Sequence, residues 1–160
     1  MKYYDELLDY INGLEIVDTH EHLPIEAKRD MKADVLSEWL SHYFSCDLIS
    51  AGMSDEDMAE AKNPSIDLMK RWKKVESWWK AAQNTGYGRA LEVAARDIYG
   101  IKEINSRTIL KLNEAFIEAR KKGGHYKRVL QDMSKIAVSI RDTWPMEAEL
   151  DSADKFVFTF

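Results

Sequence analysis

The sequence predicts an α/β chain in which two or three strands are embedded among helices, as at the opening of a larger β/α protein. Three observations carry this. Residues 14–19 form a short β-branched run. Residues 34–134 recur almost wholly at helical spacing. Strand character then returns at residues 135–140 and again at 155–160, the latter ending in Phe156-Val157-Phe158-Thr159-Phe160.

Each element has a local reason. Tyr4, Leu7, Leu8 and Ile11 share one helical face, so the chain opens with an amphipathic helix. Asn12-Gly13 stops it, with Gly13 suited to a left-handed cap. The first strand follows and runs through Asp18-Thr19-His20-Glu21-His22 into Leu23-Pro24, which closes it. Ser54 with Asp57 resembles a capping box, and Asn63-Pro64 predicts a cap followed by a first-turn proline. Leu68, Trp72, Val75 and Trp79 then line one stripe of a long helix. Gly86 and Gly88 punctuate the next turn, and Gly100 ends the helix after it. Ser106 opens a helix with Ile109, Leu112 and Phe116 inward, which Gly123-Gly124 terminates. A short helix spans residues 126–133.

The 160 residues carry a net charge of −5 and are 45% hydrophobic and 32% charged. Such a globular, mildly acidic composition argues against nucleic acid as a partner, since phosphate binding needs a basic surface. The lysines of residues 70–80 read as the solvated face of a helix. A lone cysteine, Cys46, excludes an intrachain disulfide and suits a reducing compartment. There is no signal-peptide core and no membrane-length apolar run. A cytoplasmic protein without a membrane partner is expected.

The chemistry concentrates in Asp18-Thr19-His20-Glu21-His22. Alternate strand side chains share a face, so Asp18, His20 and His22 point one way. Two imidazoles at that spacing can converge on one ion, and neutral imidazole suits zinc and its neighbours. Asp18 is placed to accept a ring N–H as a supporting group outside the ligands. The pair also sits at the C-terminal end of a strand, where β/α proteins place their sites. A chance His-x-His is the alternative.

Ile16-Val17-Asp18-Thr19-His20-Glu21-His22-Leu23-Pro24 resembles the first-strand signature of the amidohydrolase superfamily, in particular its uronate-isomerase-like branch. Further stretches are similar to that branch: His42-Tyr43-Phe44 with Cys46-Asp47-Leu48, Ala51-Gly52-Met53-Ser54, Trp78-Trp79, Thr85-Gly86-Tyr87-Gly88-Arg89-Ala90-Leu91, and Asp97-Ile98-Tyr99-Gly100-Ile101. The resemblance implies a partial (β/α)8 TIM barrel with a large helical insertion between strands 1 and 2. It implies one or two divalent ions, zinc foremost, with His20 and His22 as the first-strand ligands. It also implies hydrolysis of a small carbonyl, ester or amide substrate by metal-activated water. Uronate-isomerase-like or decarboxylase chemistry on the same scaffold is the alternative. So is a non-catalytic helical interaction fragment with the histidine pair incidental.

A complete barrel needs about 250 residues. The chain is therefore expected to be an N-terminal portion. Residues 1–33 would hold the first helix, strand and metal motif, 34–134 the insertion and 135–160 the following strands. Alone, with two ligands, it is expected to be inactive, and its uncovered strands should favour self-association or pairing with the rest of a barrel. Three further residues are candidates for substrate binding. Arg29 follows the motif closely, with a solvated loop arginine as the alternative. His42 is suggested by the resemblance, with helix packing as the alternative. Arg89 could grip a carboxylate bidentately or form a surface ion pair. His125, after Gly123-Gly124, reads as a surface residue at a helix start.

Overall fold

The computed structural model describes residues 2–142 and the backbone of residues 156–159. The elements in chain order are α1 (Lys2–Gly13), β1 (Ile16–Glu21), a 3-10 turn (Glu26–Lys28), α2 (Val35–Trp39), α3 (Phe44–Ser50), α4 (Asp55–Lys62), α5 (Leu68–Ala82), α6 (Gly86–Asp97), α7 (Ile109–Lys122), a π-helical stretch (Lys127–Met133), β2 (Ile136–Arg141) and β3 (Phe156–Thr159). They fall into two compact units. A sheet unit comprises Met1–Arg29 with Gly123–Phe160, and a helical unit comprises Asp30–Lys122.

The helical unit closes on itself. Leu36, Leu40, Phe44, Leu48, Trp72, Val75, Trp79, Ile109, Leu112 and Phe116 form one buried cluster. Phe44 and Trp72 both pack against Trp79, with ring centroids 5.2 and 6.2 Å away. Helix starts are set by side chains. Asp34 and Ser37 form a reciprocal capping box at α2, and Ser54 caps α4 by accepting from the Asp57 N–H. Thr85 caps α6. Gly88 is required in its first turn, because a Cβ there would stand 2.6 Å from the Ala82 carbonyl oxygen. Arg71, 1% exposed, threads this unit. It donates to the Ile66 and Ala61 carbonyls and pairs with the Asp34 carboxylate.

The sheet unit is built from a parallel, three-stranded sheet ordered β1-β2-β3. Ile16 pairs with Ile136, Asp18 with Ser139 and Glu21 with Arg141. The ladder is irregular between Asp18 and Glu21, over the segment holding His20. Bulges of this kind re-aim side chains and are frequent beside functional sites. The Glu26 carboxylate accepts from the His125 and Tyr126 N–H groups, which start the π-helical stretch.

The partial barrel with its helical insertion is not what forms. The chain is mostly helical, 60%, and among the described residues its strands make one small sheet, with no set of barrel strands for an insertion to interrupt. The physical reason lies in where apolar surface is buried. The helical stripes pack on one another, so residues 30–122 form a body with its own core. Local expectations change too. Gly13 ends α1 as a helical residue, outside the positive-φ set formed by Gly52, Gly100, Gly123, Gly124 and Lys135. The helix expected at Asn63-Pro64 starts at Leu68, capped by Asp67, because Asn63 spends its side chain on the Ser65 N–H. No helix among the described residues is long and apolar enough to cross a membrane.

Candidate metal centre

In a parallel pair both strands run out at the same edge of the sheet. β1 ends at Glu21 and β2 at Arg141, and the ladder continues one step further, with the Asp142 N–H donating to the Glu21 carbonyl at 2.8 Å. This sets Asp142 beside His22, 120 residues away in sequence.

Three side chains converge there. The Nε2 atoms of His20 and His22 stand 3.2 Å apart. The rings are nearly perpendicular, at 87°. The His20 Nδ1 lies 3.9 Å from the Asp142 Oδ2. One donor atom from each of His20, His22 and Asp142 lies within 4.8 Å of the other two. All three residues are exposed.

The hydrogen bonds assign roles. His22 Nδ1 lies 2.8 Å from the Asp142 carbonyl oxygen. A carbonyl can only accept, so Nδ1 is the donor and carries the proton. The His22 Nε2 then presents a lone pair toward His20. Two nitrogens bound at about 2.0–2.1 Å to one ion at tetrahedral angles stand roughly 3.4 Å apart. The observed 3.2 Å is close to that bite. Two imidazoles and a carboxylate form a donor set that suits zinc and similar divalent ions.

Asp18 sits behind the pair. Its Oδ1 accepts from the His20 backbone N–H at 3.3 Å, and its Oδ2 accepts from the hydroxyl of the buried Ser139 at 3.1 Å. It therefore supports His20 through the backbone, and not through the ring N–H as alternation had suggested. Burial raises the Glu21 carboxyl above its ordinary value, with Asp18 adding to the rise; the Leu23 N–H, Arg141 and His22 oppose it.

The other candidates have surroundings of their own. Arg29 sits over the Tyr126 ring, 5.5 Å from its centroid, within the sheet unit. His42 and Arg89 belong to the helical unit. His42 borders an apolar cavity of about 190 Å³ with Trp39, Tyr43, Phe44 and Tyr87. Arg89 pairs with Glu92 on its own helix, the surface ion pair weighed from the sequence. His125, expected at the surface, is 9% exposed, and its Nδ1 lies 3.1 Å from the Arg128 Nη2.

Asp142 is the site residue that sequence reasoning missed. The available signal was positional: a carboxylate directly past the second strand, matching the histidines at the end of the first. Compared with protein-family models, with curated proteins and with solved structures, the chain gives no match.

Proposed function

We propose that His20, His22 and Asp142 hold a divalent ion, zinc foremost. The chain would contribute this ion to hydrolysis of a small carbonyl, ester or amide substrate, in the manner implied by the amidohydrolase-type first-strand motif. The single observation that carries the reading is the convergence of the two Nε2 atoms, 3.2 Å apart, with a carboxylate from the neighbouring strand.

A bound ion of this kind polarises a carbonyl and lowers the pKa of a coordinated water toward about 7. The chain's own residues position the ligands. The Asp142 carbonyl holds His22 in the tautomer that leaves Nε2 as the ligand atom. Asp18 and Ser139 tie down the His20 backbone. The side chains of His20 and Asp142 are 64% and 57% exposed, so a substrate can reach the donor face. Inactivity was expected of a site with two protein ligands. A third donor meets the usual minimum for catalytic zinc, which leaves the proton acceptor as the part expected from other strands.

The test is hydrolysis of p-nitrophenyl acetate by the full chain with zinc, with chelator, and as the His20→Ala/His22→Ala variant. The reading expects a zinc-dependent rate that chelation removes and the variant lacks. Equal rates in all three would contradict it.

A further inference from the structure

We propose that the ion held by His20, His22 and Asp142 also acts as a structural clamp, so that the sheet unit folds around the metal while the helical unit folds without it. This rests on the metal-binding reading above and extends it from chemistry to folding.

The first observation is topological. The donors come from the ends of two different strands, 120 residues apart. An ion bound to both fixes the end of β1 against the end of β2. Binding free energy at such a site is folding free energy, because the ligands are not assembled in the unfolded chain.

The second observation is that the described residues of that unit bury little apolar surface. Every residue of the buried hydrophobic cluster lies between Val35 and Phe116. In the sheet unit, Tyr126 is the one buried apolar or aromatic residue among the described residues. Leu7, Ile11, Ile16 and Val17 are 61, 59, 47 and 58% exposed. What β2 buries fully is polar: Ser139 and Arg141. A small sheet without a well-buried apolar face is marginal in water, and small domains short of core are commonly held by metals.

The third observation is that side-chain and backbone hydrogen bonds already tie the two strands together next to the proposed clamp. Ser139 donates to Asp18, the Asp142 N–H donates to the Glu21 carbonyl, and His22 donates to the Asp142 carbonyl. An ion would close a network that already bridges β1 and β2.

The experiment is hydrogen–deuterium exchange of the full chain with and without Zn²⁺, alongside calorimetry, for wild type and Asp142→Asn. At zinc a hundredfold above its Kd, amides of β1 and β2 should exchange about 100-fold more slowly. Those of α5 should be unchanged, which controls for global effects. Asp142→Asn should lose most of the slowing and keep the protection of α5. Zinc binding without slower strand exchange would overturn the clamp and leave the metal site standing. Full slowing in Asp142→Asn would also overturn it. No zinc binding would overturn both readings.

Discussion

The two units of this chain bury opposite things. The helical unit buries tryptophan, leucine and phenylalanine against one another and tolerates two buried cations, Arg71 and Arg120, by giving each a carboxylate, Asp34 and Glu38, and backbone carbonyls. Among its described residues, the sheet unit leaves the apolar side chains of α1 and β1 exposed and those of β2 half-buried, and it buries Tyr126 with a serine, an arginine and a histidine. Its chemistry is correspondingly different. The helical unit contains no three-residue donor cluster among the described residues, whereas the end of the sheet gathers two imidazoles and a carboxylate. A region stabilised by packing needs no ligand.

Breaking the packed unit should have the largest effect. Trp72 is 1% exposed, and its indole N–H donates to the Ser106 hydroxyl. Trp72→Ala should cost about 3–5 kcal/mol by cavity formation, read as a lowered midpoint for the helical unit in thermal or urea unfolding. Arg71→Ala comes next, at about 3 kcal/mol, because it strands the Asp34 carboxylate; Asp34 keeps 13% exposure, which moderates the loss.

The same pair predicts a pH dependence. Burial opposes ionisation of Asp34, but hydrogen bonds from Arg71 and Ser37 outweigh it and hold its carboxyl below the ordinary value of 3.8. A lowered carboxylate stabilises the fold fully above its unfolded value, and the contribution fades as pH falls through the folded one. The helical unit should therefore lose stability below roughly pH 4, and Asp34→Asn should flatten that part of its acid-unfolding curve. At the small end, Leu7→Ala in α1 should change stability by less than about 0.5 kcal/mol, since Leu7 is 61% exposed. A loss above 1 kcal/mol in an unfolding curve would mean that α1 is covered in solution, as self-association would do.

Much of the local structure was legible in sequence. The stripe Leu68, Trp72, Val75, Trp79 marks the core face of α5, and Gly100 and Gly123-Gly124 fall where helices end in positive-φ residues. The histidine pair was legible because its spacing puts both side chains on one face of the strand. What was not legible depends on distance along the chain. Asp142 reaches His22 only through parallel pairing of strands 120 residues apart, and Asp34 meets Arg71 only through helix packing. The barrel was inferred from a resemblance at the first strand and at further stretches over most of the chain, and periodicity could not say whether the following helices would pack on strands or on one another.

The most direct test of the central claim, that the sheet edge is a divalent-metal site, is a calorimetric Zn²⁺ titration of the full chain against the His20→Ala/His22→Ala variant. The account predicts saturable binding of about one ion per chain that vanishes in the variant. Equal binding by both proteins, or none by either, would contradict it.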